Sequence, residues 1–162
     1  MKTDRKAEIV AIASKLFREK GYSAVTVRDI AQALDIKAAS LYNHISSKQE
    51  ILHLMIINIA EQYTNTISEI LDSSETTLSK LQRVIKLHID ITVENPDAMA
   101  SLNNDWMHLQ EDDLKYFLKM REEYEQKFRI IIKNGIEQGE LKNHNAEVMI
   151  FSMLSTLRTL YL

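Results

Sequence analysis

The run Lys37-Ala38-Ala39-Ser40-Leu41-Tyr42-Asn43-His44 sets an ammonium, two hydroxyls and an amide beside two small residues. Groups of this kind donate to phosphate oxygens and base edges, and Ala permits a close approach with apolar contact to thymine methyls. The run follows Thr26-Val27-Arg28-Asp29-Ile30-Ala31 and precedes Ser47-Lys48-Gln49-Glu50-Ile51-Leu52. The pattern reads as two short helices joined by a tight turn, the second suited to lie in a DNA groove. Taken singly, these residues have plainer uses. Thr26 and Ser47 are ordinary helix caps in any protein, Tyr42 can pack, and His44 suits a surface or packing position better than base reading.

Two other constellations could do chemistry. Asp105, His108 and Asp112 stand at i, i+3 and i+7, a spacing that would present imidazole and carboxylate ligands to a divalent metal from one helix face, although surface helices show it by chance. This is the enzymatic alternative. No Ser nucleophile has a recognisable setting, so catalysis is not expected and no cofactor is implied. The second set, His88, Trp106, Phe117, Met120, Tyr124, Met149 and Met153, would give an adaptable apolar lining if the faces converged. Core packing is the simpler account of any one of them.

The elements that must position these groups are helices. The chain has 162 residues, 45% hydrophobic and 27% charged, as in an ordinary soluble globular protein, and only three Gly and one Pro to supply turns. Cysteine is absent, which excludes disulfides and thiolate chemistry. No apolar run is long enough for a signal peptide or a membrane span, so a cytoplasmic location with no membrane partner is expected. Net charge is −3, unevenly placed: residues 1 to 50 hold nine Lys/Arg against six Asp/Glu, and the remainder eleven against seventeen. A basic head on an acidic body fits a protein whose head alone meets phosphates.

Periodicity outlines the helices in order. Ile9, Ile12, Ala13, Leu16 and Phe17 mark the first, with a cap expected at Thr3 or Asp4 and a stop at Gly21. Thr26 with Asp29 predicts a capping box for the second, Asp35 a left-handed turn, and Lys37 to His44 the third. Ser47 with Glu50 predicts another capping box, opening a long helix through Ile51, Met55, Ile59, Tyr63, Ile67 and Leu71. After a loop over 72–77, Leu78, Leu81, Ile85, His88, Ile89 and Thr92 trace a fifth, which Asn95-Pro96 ends while capping a sixth through Met99, Leu102, Trp106 and Leu109. Leu114, Phe117, Leu118, Tyr124, Phe128, Ile131, Ile132 and Gly135 trace a seventh, ending near Gly139. Val148, Met149, Met153, Leu154, Leu157 and Leu160 trace an eighth, expected to be running still at Leu162 as though a partner element followed.

Across residues 5 to 52 the chain resembles the TetR family of bacterial transcriptional regulators, through Ala24–Ala31, the Ala33-Leu34-Asp35-Ile36 turn, the Ser40–His44 helix and the Ser47–Leu52 start. The resemblance implies an all-α protein: a helix-turn-helix head of three helices over 1–46, joined by a long helix to an effector-binding and dimerisation domain over 47–162, truncated at its carboxyl end. It implies that Thr26 and Arg28 anchor the head near the DNA backbone. Lys37, Ala38, Ala39, Ser40, Tyr42 and Asn43 would face the major groove, and Tyr42 and Lys48 would hold phosphates. Lys37 departs from the family's usual capping Ser or Thr, Ala39 from Gly and Ile45 from an aromatic residue, so base preference and head packing do not carry over.

The function implied is that of a ligand-responsive regulator, a repressor and homodimer, that leaves a palindromic double-stranded DNA operator when a small, largely apolar effector binds. The texture of Trp106–Leu109, Arg121–Tyr124 and Asn134–Gly139 is similar to members that sense fatty acyl or other coenzyme A thioesters. A dimerising scaffold that merely retains the head is the remaining alternative.

Overall fold

Apolar residues at helical spacing make α1 (Arg5–Lys20), which buries Ile9, Ala13 and Phe17, while the buried Ser14 hydroxyl donates to the Val10 carbonyl at 2.8 Å. The computed structural model describes residues 5–160, so the cap expected at Thr3 or Asp4 lies outside the described residues. Gly21 stops the helix at φ 81°, its amide bonded to Phe17 O at 2.7 Å. A 3₁₀ turn at Tyr22–Ala24 leads to α2 (Val27–Ala33), where the expected capping box forms: Thr26 Oγ1 accepts from the Asp29 amide and Asp29 accepts from the Thr26 amide. Asp35 then turns left-handed, at φ 53°.

The third helix is shorter than its sequence pattern, one turn at α3 (Ala38–Leu41). Lys37 occupies its N-cap with no side-chain capping bond. Beyond Leu41 the chain tightens into bonds from Asn43 N to Ser40 O and His44 N to Leu41 O. A helix this short cannot sustain itself on one turn's hydrogen bonds and depends on the burial of Leu41.

Helix α4 (Lys48–Asp72) starts at Ser47, whose hydroxyl accepts from the Glu50 amide at 3.1 Å. The return bond differs from a capping box, because Glu50 accepts from the amide and hydroxyl of Ser46 instead. It also meets the Lys6 ammonium at 2.6 Å. These contacts, the Lys6 bond foremost, hold the Glu50 carboxyl down to about 2.

Two readings of helix faces are corrected. On α5 (Thr77–Glu94) the buried residues are Thr77, Leu81, Val84, His88, Ile91 and Thr92, while Leu78, Ile85 and Ile89 are exposed. The helix carries two apolar stripes, and periodicity cannot say which one the core takes. The expected sixth helix through Leu109 is broken: α6 (Pro96–Asn104) ends at Asp105, and a 3₁₀ turn at Trp106–His108 follows. Asn95 is the N-cap of α6 by position, without a side-chain capping bond.

Helix α7 (Glu111–Glu137) opens with Glu111, Asp112 and Asp113, which complement the positive end of its dipole. It closes with Gly139 at φ 75°. Helix α8 (Ala146–Arg158) is capped by Asn145, which accepts from the amides of Glu147 and Val148. It stops at Arg158, where Thr159 turns back to bond Thr156 O, and Leu162, to which the helix was expected to run, lies outside the described residues.

Among the described residues there are eight α-helices and no strand. The described residues fall into two compact units, one within residues 1–58 with 95–115 and the other within residues 59–94 with 116–162. Within the first unit α6 packs on α1, and Arg18 pairs with Asp97 at 3.0 Å. The core of the second unit includes Ile67, Ile70, Val84, Phe128, Ile131 and Ile132.

Candidate DNA interface and a buried polar cluster

The first unit presents the residues expected to meet DNA. Thr26, Arg28, Lys37, Ala39, Ser40, Tyr42 and Asn43 are exposed and Ala38 is half-buried. Tyr42 is the telling one, 53% exposed although aromatic, beside a Leu41 that is wholly buried. The alternation follows from the α2 and α3 geometry: Ile30, Ala31 and Leu41 point to the core, which turns the intervening polar residues outward.

Lys48 is placed differently. Its half-buried ammonium donates to Tyr22 O at 2.9 Å and Val25 O at 2.8 Å, and sits 4.1 Å from the Tyr22 ring centroid. Desolvation lowers its pKa, against the opposing pull of the Asp105 carboxylate. The lysine thus clasps the 3₁₀ turn before α2 and keeps one ammonium proton beyond those two bonds.

Tyr22, which sequence reasoning passed over, is the hub of this packing. Its ring meets Phe17 edge-on at 5.1 Å and stacks on His108 at 5.3 Å. His108 Nε2 lies 3.4 Å from the Ser23 hydroxyl, and its carbonyl accepts from Gln49 at 2.7 Å. His53 and Asp113 pair at 2.9 Å. The metal reading required Asp105, His108 and Asp112 on one continuous helix. Here Asp105 is a buried helix end, His108 sits in the 3₁₀ turn and Asp112 is exposed in α7. Among the described residues no group of three or more His, Asp or Glu could hold a metal ion.

In the second unit His88 Nε2 and the Tyr124 hydroxyl share a hydrogen bond of 2.8 Å. Tyr63 closes the cluster, its ring centroid 4.6 Å from His88 and 5.7 Å from Tyr124. Burial pushes the His88 imidazole down to about 4, with help from the Arg158 charge, and raises both tyrosine hydroxyls. Two buried atoms here, His88 Nδ1 and Thr92 Oγ1, have no hydrogen-bond partner among the described residues.

Of the expected lining, His88 and Tyr124 are therefore joined directly, Phe117 and Met120 are buried, and Met149 and Met153 are half-buried. Trp106 belongs to the first unit. Tyr63 and Thr92 had been legible as helix-face residues only. Nothing in their spacing marked them as neighbours of His88 beyond the i, i+4 step from His88 to Thr92.

Comparison with known proteins agrees with this architecture. Residues 9–55 match the model described as bacterial regulatory proteins, tetR family, and residues 74–162 the model described as tetracyclin repressor-like, C-terminal domain. The HTH-type transcriptional repressor KstR2 of Rhodococcus jostii is 28% identical over 147 residues, covering 88% of this chain and 70% of that protein. The structure of the TetR family regulator PfmR from Thermus thermophilus is 28% identical with a TM-score of 0.82, covering 94% of this chain and 84% of its own. AibR, solved in complex with isovaleryl coenzyme A and operator DNA, shares the fold alone, with a TM-score of 0.81 at 17% identity over 97% of this chain and 85% of that one. With the two models together accounting for most of its length, the chain belongs to the TetR family of bacterial regulatory proteins, whose members are ligand-responsive, DNA-binding transcriptional regulators and not enzymes.

Proposed function

We propose that this protein is a repressor that binds a palindromic operator as a homodimer in the cytoplasm and leaves it when a small, largely apolar effector enters the second unit. The observation that carries the DNA reading is the exposed run from Lys37 to Asn43 on a buried Leu41 anchor. Arg28, Thr26 and the remaining Lys48 proton are suited to phosphate, and Ser40 and Asn43 to base edges. Two such heads would sit about one DNA turn apart, roughly 34 to 36 Å, so dimer geometry becomes part of the recognition.

Homodimerisation has a candidate surface in α8, where Val148 is 61% and Phe151 74% exposed. Effector release is a population shift, which requires tighter binding to the released form than to the operator-bound form. A fatty acyl chain or its coenzyme A thioester is the effector class we favour. The Met and aromatic residues of α7 and α8 suit an apolar chain, and AibR shows the same fold holding a thioester.

Fluorescence anisotropy against DNA from upstream of the gene, over a salt series, tests the reading. Tight, steeply salt-dependent binding with preference over scrambled DNA is expected. A folded dimer that binds scrambled DNA equally well would instead favour a dimerising scaffold.

A further inference from the structure

His88 and Thr92 stand one turn apart on α5, 5% and 7% exposed, and among the described residues His88 Nδ1 and Thr92 Oγ1 are both without a partner. The i, i+4 step places them on one face. Buried polar atoms are almost always hydrogen-bonded, and leaving one unpaired costs stability, so two adjacent orphans amount to unspent recognition capacity. Their other neighbours are accounted for: His88 Nε2 is bonded to Tyr124, Tyr63 packs against the imidazole, and Arg158 pairs with Glu125 at 2.7 Å.

We propose that His88 Nδ1 and Thr92 Oγ1 form the polar end of the effector site and take one uncharged oxygen, a hydroxyl or a carbonyl, borne on the apolar part of the effector. This rests on the effector reading above. The hydrogen-bond inventory selects the class. If the Tyr124 hydroxyl donates to Nε2, Nδ1 carries the proton and is a donor; in the other tautomer Nδ1 is an acceptor. Thr92 rotates to either role. A hydroxyl satisfies the pair in both tautomers, and a carbonyl satisfies it as a double acceptor. A carboxylate could accept from the same donors, but it would carry a full charge into this buried site, a desolvation cost that an uncharged oxygen avoids.

The test uses the full chain with ¹⁵N-labelled histidine and three probes: cyclohexanol, decan-1-ol and decanoate. At least one alcohol should move the His88 Nδ1 resonance, and Thr92→Val should weaken that binding by about tenfold, the loss of one good hydrogen bond. Because Val removes an orphan hydroxyl at nearly constant shape, Thr92→Val should also raise the melting temperature of the free protein. A lowered melting temperature would show the hydroxyl already satisfied, by water or protein, and overturns the proposal. So does a His88 resonance unmoved by either alcohol, binding unaffected by Thr92→Val, or decanoate binding as well as decan-1-ol. Operator binding by the wild-type protein is measured separately: if it fails while the alcohol response survives, the repressor reading falls and the site stands.

Discussion

At the scale of residues, Lys48 has a structural place that any contact with DNA must share. Its ammonium satisfies the carbonyls of Tyr22 and Val25. Lys48→Ala should therefore destabilise the protein by about 1 to 3 kcal/mol through the orphaned acceptors, read by urea unfolding. The same variant should lower the salt slope of operator binding by about one, and an unchanged slope would remove the phosphate role and leave the clasp. His88 makes a pH prediction. Its folded value of about 4 lies below the ordinary 6.5, so the unfolded chain binds the proton more readily. The stability it allows is fully present above pH 6.5 and is lost as pH falls toward 4, by roughly 3 kcal/mol in total. Tyr63 and Tyr124 pack against the ring and the Arg158 charge acts on it, while Glu125, paired with Arg158, has its own pKa lowered. Unfolding of His88→Gln between pH 7 and 4.5 should show a shallower loss than wild type; parallel curves would sink the assignment.

At the scale of elements, Gly135 decides how closely α7 approaches the start of α5. A Cβ built there would collide with the Thr77 side chain, which is itself 4% exposed. Gly135→Ala should cost about 1 to 3 kcal/mol by overpacking, despite the better helix propensity of Ala. Adding Thr77→Ala should recover part of the loss, seen as a partial return of the melting temperature; a double variant no more stable than Gly135→Ala would mean that the strain lies elsewhere. The short helix of the first unit is governed differently. Helix α3 lacks a side-chain cap at Lys37 and spans one turn, so its order depends on Leu41 and on the turn at Asp35 rather than on its own hydrogen bonds.

At the scale of the molecule, the proposed dimer should fail before the fold does. Phe151 lies 74% exposed on α8, so replacing it perturbs little within one chain. Phe151→Asp should leave the thermal transition nearly unchanged but shift sedimentation to a monomer and weaken operator binding by at least about tenfold, since two linked heads bind with the advantage of effective concentration. A variant that sediments as a dimer would move the interface to another face, with the exposed stripe of Leu78, Ile85, Ile89 and Val93 on α5 the next to test.

Local signals sufficed wherever the determinant was itself local. The capping box at Thr26, the left-handed Asp35, the stops at Gly21 and Gly139 and the outward-facing polar residues on either side of Leu41 were all readable, because capping, φ preference and the helical period act over a few residues. Where two alternatives were locally equal, packing chose. The core took one apolar stripe of α5 and left the other outside, and α6 ended at Asp105 so that Trp106–His108 could turn and stack His108 on Tyr22. Tertiary structure likewise supplied Tyr63 as the third member of a cluster that the α5 spacing only half described, and committed the Lys48 ammonium to carbonyls 26 and 23 residues away. Contacts between residues distant in sequence arise only when helices pack, and no period or motif within one segment encodes them.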